Sequence, residues 1–178
     1  MPEPAGSNRR IVLFGNPVLR TATRPIAEIT DDLRALLADL KTTMLAQDGL
    51  GLAANQIAEP ISAFAVNPRG AEKDAEPYCI LNPAIVATEG SVEAEEGCLS
   101  MPGVYDFLPR PEYVRMSGID ENGRTVQVEG RGLLARALVH EFEHLRGMLF
   151  IDHLSETRRL MLKTRLDELQ SEEARHCG

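Results

Sequence analysis

The segment His140-Glu141-Phe142-Glu143-His144 carries the residue types and spacing best suited to chemistry. On a helix, histidines at i and i+4 project from one face, close enough to share one divalent ion. Glu141 then sits beside that pair. A bound ion lowers the pKa of water, and an adjacent carboxylate can take and return the proton, so the pattern predicts hydrolysis at neutral pH. The reading without function is a surface helix whose polar residues fall at this spacing by chance. Against it stand Ala137, Leu138, Val139, Phe142 and Leu145, an apolar surround that predicts burial, where unpartnered polar groups are costly.

Two histidines leave a site incomplete, and the third ligand decides its class. One extended zinc-protease pattern has glycine at 147 and histidine at 150; Gly147 is present, but the second position is Phe150. Another pattern draws a glutamate from a following helix, for which Glu168 is available, although solvation is the commoner fate of such a residue. The third candidate is Cys98 in Glu96-Gly97-Cys98-Leu99-Ser100, where glycine allows a tight approach and a thiolate binds divalent ions strongly. A buried cysteine is more often plain filling, and a cysteine nucleophile would instead make a thiol hydrolase. The run Gly49-Leu50-Gly51-Leu52-Ala53-Ala54-Asn55-Gln56 contains neither a complete P-loop nor a dinucleotide fingerprint. Its small residues permit backbone approach to a ligand, and Gln56 can donate its amide to a developing oxyanion.

Elements must position these groups. Thr30 can cap a helix with Asp31 and Asp32 in its first turn and an apolar stripe of Leu33, Leu36, Leu37, Leu40 and Met44. The residues 61–66 and 78–87 read as strands flanking a polar loop, and 114–120 with 125–129 read as a hairpin around Asn122-Gly123. Residues 133–145 form an apolar helix that Gly147 can end, and 155–174 are a second helical candidate with Leu160, Leu162, Leu166 and Leu169 among charges. Helix, then strands, then helices predict an α+β fold: a compact single domain over 1–178, with antiparallel sheets around a buried central helix and with N-terminal and C-terminal helices.

The chain has 178 residues, 43% of them apolar and 26% charged, enough for one core in one domain. A net charge of −8 disfavours general binding to nucleic acid or to an anionic membrane. No apolar run approaches the roughly 18 residues of a membrane span. The start, Met1-Pro2-Glu3-Pro4, with Arg9-Arg10 before only a short apolar stretch, does not resemble a signal peptide. Three cysteines, Cys79, Cys98 and Cys177, predict free thiols in a reducing compartment, and the start, which does not resemble a transit peptide either, favours a bacterial cytoplasmic protein.

In order, Gly49-Leu50-Gly51-Leu52-Ala53-Ala54-Asn55-Gln56, Glu96-Gly97-Cys98-Leu99-Ser100 and His140-Glu141-Phe142-Glu143-His144-Leu145 resemble the three signature segments of peptide deformylases. The likeness extends to Gly15-Asn16-Pro17-Val18-Leu19-Arg20 and Phe150-Ile151-Asp152, and so covers nearly the whole chain. The resemblance implies a metal-dependent hydrolase that removes the N-formyl group from the N-terminal formylmethionine of newly made polypeptides and releases formate. It implies Cys98, His140 and His144 as metal ligands, Glu141 as general base and acid, and Gln56 with the backbone N–H of Leu99 as oxyanion donors. Gly51 would contact the substrate backbone, Leu50 would line the approach, and Leu133 and Ala137 would help form the methionine pocket. The implied ion is Fe2+, with Zn2+, Ni2+ or Co2+ as alternatives that the sequence does not separate.

Two positions depart from the family pattern: Val139 replaces a common glutamine and Glu143 a common aspartate. Both leave the ligands intact and predict retained activity with altered metal affinity or rate. Glu96 and Arg110 are a candidate pair behind the ligands. Arg158, Arg159, Lys163 and Arg165 offer a basic face for transient ribosome association, although Glu156, Asp167 and Glu168 favour an ordinary solvated face. Alternatives to a deformylase are a metallopeptidase using Glu168 and a formyl-peptide-binding protein with little turnover.

Overall fold

A computed structural model describes residues 6–70 and 75–177, so the expectations for residues 1–4 and for part of the loop 67–77 fall outside it. Helix α1 (Asp31–Ala46) begins as expected: Thr30 Oγ1 accepts from the Leu33 N–H at 3.2 Å, and Asp31 and Asp32 lie at the positive end of the dipole. Past its end, the Gly49 N–H turns back to the Met44 carbonyl at 3.0 Å.

Strands β1 (Gly51–Ala53), β2 (Ala63–Val66) and β3 (Tyr78–Glu89) follow, then a hairpin of β4 (Val92–Gly97) and β5 (Tyr105–Arg110), then β6 (Tyr113–Ile119) and β7 (Thr125–Arg131). One antiparallel sheet has the order β1-β2-β3-β6-β7, and β4 pairs with β5 in a separate two-stranded sheet. Alternation along the strands sorts the core into two faces. Leu52, Ala63, Ala65, Cys79 and Leu81 pack with Leu37, Leu40 and Met44 of α1. Ala53, Phe64, Val66 and Ile80 pack on the other side with Leu134, Leu138 and Val139 of α2 (Leu133–His144). Each fully buried leucine here contributes about 1.5–3 kcal/mol.

Gly132 joins β7 to α2 at φ 54°, a conformation that favours glycine. Gly147 ends the turn after α2 at φ 72°, where a Cβ would come within 2.6 Å of the Arg20 carbonyl oxygen. Helix α3 (Glu156–Cys177) places Leu166 and Leu169 in a third cluster with Val12, Leu19, Met101, Val104, Leu108 and Phe150. This α+β arrangement agrees with the sequence expectation. Cys79 and Cys98 are free thiols; the side chain of Cys177 lies outside the described residues. Among the described residues, no helix is long and apolar enough to cross a membrane.

Candidate metal centre

Helix α2 supplies two of the three converging groups. His140 and His144 are one turn apart on its buried face, at 8% and 1% exposure. The third, Cys98, follows the last residue of β4, so the β4–β5 hairpin delivers a thiol to the helix. Cys98 Sγ lies 3.2 Å from His144 Nε2, which lies 3.1 Å from His140 Nε2. All three ligand atoms fall within 4.8 Å of one another, and among the described residues no other such group forms.

These residues fit a divalent ion. Donors at such separations can surround a centre about 2.0–2.3 Å from each. His140 Nδ1 is bonded to Glu96 Oε1 at 2.7 Å, which leaves its Nε2 facing the other two donors. Burial, reinforced by His140, holds His144 well below the ordinary histidine range, so its imidazole is neutral. Burial opposes a charge on His140, but Cys98, Glu96 and Glu141 together favour one there. One sulfur and two imidazole nitrogens thus converge with carboxylates behind and beside them, a donor set suited to a divalent cation.

Behind the ligands stands Glu96. Its carboxylate accepts from Arg110 Nε and Nη2 at 3.0 and 2.7 Å and from Arg136 Nη1 at 2.8 Å, as well as facing His140. Burial alone would raise its pKa, but His140 and Arg110 hold the carboxyl well below the usual range. Arg110 continues the chain outward, donating to Glu143 Oε1 at 2.8 Å, and His153 Nε2 meets that same oxygen at 2.8 Å. Glu143 thus lies two partners away from His140. Val139 belongs to the apolar cluster around Phe64 and Ile80, so its departure from the family pattern is one of core packing.

Glu141 is 4% exposed, and burial pushes its carboxyl up to about 7. Its Oε2 has no hydrogen-bond partner among the described residues. The close neighbour is Gly51: a Cβ there would stand 2.6 Å from both Cγ and Oε1 of Glu141. Gln56, 1% exposed, is oriented by the Ala53 N–H, which donates to its Oε1 at 2.8 Å. Its Nε2 donates to Ser100 Oγ at 3.1 Å and approaches Cys98 Sγ at 3.5 Å. The Leu99 N–H has no acceptor among the described residues. A cleft of about 820 Å³ opens over the cluster, and Leu50, Gly51, Leu99, Leu133 and Ala137 line it beside Gln56 and Glu141.

The structure places Cys98, His140, Glu141, Gln56, Leu99, Leu50, Gly51, Leu133 and Ala137 along one cleft, with His144 buried against His140 and Cys98, and it removes one alternative. Glu168 is exposed on α3 and bonded to Arg165 at 3.0 Å, so it is no ligand. The charges of α3 face their own neighbours: Arg158 reaches Asp106 and the Phe107 carbonyl, and Lys163 pairs with Asp167. Arg9 and Arg10 are structural, pairing with Asp39, Glu59 and Glu173. The sequence motifs contain Ser100 and Asn55 without marking a role for either, and Arg136 lies outside them; Asn55 Nδ2 donates to the His144 carbonyl at 2.7 Å. Arg136 did leave a signal, as a charge one turn before His140 on an otherwise apolar helix.

The family model described as "Polypeptide deformylase" matches residues 8–160. The chain belongs to the polypeptide deformylase family. A peptide deformylase of Hydrogenovibrio crunogenus is 39% identical over 164 residues, covering 92% of this chain and 96% of the relative. One from Methylocella silvestris is 41% identical over 155 residues, 85% of this chain and 79% of its own length. The crystal structure of a peptide deformylase from Legionella pneumophila superposes with a TM-score of 0.86 at 37% identity, covering 95% of this chain and 99% of that one. Deformylases are metal-dependent hydrolases acting on nascent peptides, and the Cys98, His140 and His144 group is able to hold the metal.

Proposed function

We propose that this chain is one catalytic domain that removes the formyl group from N-formylmethionyl peptides in the cytoplasm, with Cys98, His140 and His144 holding a single Fe2+ ion. The observation that carries this reading is the convergence of those three ligand atoms beside the buried Glu141 on the floor of the cleft. A thiolate in the ligand set suits a softer ion than oxygen ligands would, and Zn2+, Ni2+ or Co2+ fit the same donors.

A bound ion supplies Lewis-acid chemistry, polarising a carbonyl and acidifying water. Everything else falls to the chain. Glu141 Oε2 takes a proton from the attacking water and returns it to the amine as the C–N bond breaks, so formyl amide and water become formate and a free amine. Gln56 Nε2 and the Leu99 N–H stabilise the oxyanion of the tetrahedral intermediate, Gln56 giving up its long contact to Cys98 for the stronger acceptor. Leu133 and Ala137 contact the methionine side chain, Leu50 lines the entry, and Gly51 lets the substrate backbone approach. For α3, its internal ion pairs favour a solvated face over a ribosome contact.

The test is formate release from formyl-Met-Ala-Ser by protein purified without oxygen and loaded separately with Fe2+, Ni2+ or Zn2+. Metal-dependent release that is lost in Glu141→Ala, with metal content retained, supports the reading. A folded, fully metallated wild type that releases no formate overturns it.

A further inference from the structure

None of those steps uses α3, yet one of its carboxylates is almost completely buried. Glu173 is 2% exposed. Its partners lie near the opposite end of the chain: Oε2 accepts from the Arg10 guanidinium and from the Leu13 N–H at 2.9 Å, and Oε1 accepts from Asn16 Nδ2 at 2.8 Å. The residues on either side of Leu13 donate the other way. The Val12 N–H bonds the Gln56 carbonyl and the Phe14 N–H bonds the Ser100 carbonyl, each at 2.8 Å.

Gln56 and Ser100 are the residues already joined across the centre by the Nε2 to Oγ contact of 3.1 Å. Residues 12–14 therefore clip together the loop that carries Gln56 and the loop that carries Cys98 and Leu99. Glu173 holds the clip from behind. Its helix has a fixed seat, because Leu166 and Leu169 are buried in the same cluster as Val12, Cys98 and Met101. Arg10 and Leu13 also line the cleft, so movement of this segment would reach the substrate side as well.

We propose that Glu173 is a positioning residue for the deformylase site: through residues 12–14 it sets the spacing between Gln56 and the Cys98-Leu99-Ser100 loop. The proposal rests on the oxyanion role given above to Gln56 and the Leu99 N–H. Glu173→Gln keeps the size of the side chain but turns an NH2 group toward donors that need an acceptor, the Leu13 N–H or Asn16 Nδ2.

The experiment compares wild type, Glu173→Gln and the control Glu172→Gln as full-length, metal-loaded proteins. Amide hydrogen exchange is followed at Val12 and Phe14, together with kcat and KM for formyl-Met-Ala-Ser. In Glu173→Gln the two amides should exchange about tenfold faster and kcat per bound metal should fall about tenfold, with KM moving less and metal content unchanged. Glu172→Gln should match wild type. Unchanged exchange at both amides overturns the proposal, as does a lowered Tm with kcat per metal intact, which is what a purely structural staple would give. If wild type releases no formate, the catalytic reading fails separately and amide exchange still decides whether Glu173 holds the clip. Should Glu173→Gln not fold, Glu173→Asp takes its place and is read the same way: faster exchange at the two amides together with a lowered kcat per metal supports the proposal, and a wild-type value of either overturns it.

Discussion

Glu96 has a single carboxylate and four nitrogen atoms bonded to it, three of them from two guanidinium groups that are themselves buried. Neutralising it would leave the buried Arg110 and Arg136 with one fewer negative partner, and removing one member of a buried ionic network costs about 3–5 kcal/mol. The same change would free His140 to rotate, and partners behind a metal-ligating histidine are worth about 10–100-fold in metal affinity or activity. Glu96→Gln should therefore lower the stability of the metal-free protein by about 3 kcal/mol in urea unfolding and weaken metal retention against a chelator at least tenfold. Metal retention equal to wild type would mean that the helix alone orients His140. The histidine pair was legible because its spacing is local to one helix, whereas Cys98 stood among several candidate third ligands and was singled out only by the family resemblance. Arg136 was not identified, because its partner lies 40 residues earlier and only the fold brings the two together.

Among the elements, the three helices were readable from local signals: a cap and an apolar stripe for α1, an apolar run ended by Gly147 for α2, and spaced leucines among charges for α3. The β4–β5 hairpin was not. Its strands expose Glu93, Glu95 and Phe107, so neither a clean alternation nor an apolar run marks them, and β1 is only three residues long. Yet β1 runs against α2 at the candidate centre, and its Gly51 leaves no room for a Cβ beside Glu141. Because Glu141 is buried, a methyl group at 51 must displace the carboxylate or the strand, and a misplacement of about 1 Å can cost about a hundredfold in rate. Gly51→Ala should reduce kcat/KM by about that factor while leaving the circular dichroism spectrum unchanged; activity within a few-fold of wild type would show that Glu141 has room to yield. A second element-level tie joins the turn at Pro17–Arg20 to the one at Phe150–His153. Asp152 accepts from Arg20 at 2.6 and 3.0 Å and from the Leu149 N–H at 2.9 Å. Burial alone would raise this carboxyl, but Arg20 outweighs it and holds the pKa below the ordinary 3.8. The folded state thus binds this proton less readily than the unfolded chain, so the stabilisation is complete well above pH 3.8 and is lost as pH falls through the lower, folded value. Asp152→Asn should cost about 0.5–1 kcal/mol at neutral pH for this partly exposed pair, a difference that shrinks in urea titrations below pH 3.8. A gap that stays constant into acid would assign the loss to packing.

For the molecule as a whole, the metal centre is a junction between layers. Cys98 comes from the hairpin that packs with α3, whereas His140 and His144 come from the helix that packs on the large sheet. An ion binding all three would cross-link two of the three core clusters. The same layers are already joined without it, because Glu96 of the hairpin bonds His140 and Arg136 of α2, and Arg110 of the hairpin donates to Glu143 of α2. Each cluster also retains its own buried aliphatic side chains. Metal removal should therefore lower stability without unfolding the chain. Free ion at about a hundred times its Kd stabilises the native state by about 2.7 kcal/mol, and at this chain length each kcal/mol is worth about 2–4 °C. Chelation should lower Tm by about 5–10 °C and leave the far-ultraviolet circular dichroism at 25 °C unchanged. Cys98→Ser, with a weaker third ligand, should show a smaller chelator-dependent shift. Unfolding at 25 °C on chelation would make the ion a structural requirement and the Glu96 network insufficient by itself to hold the hairpin against α2.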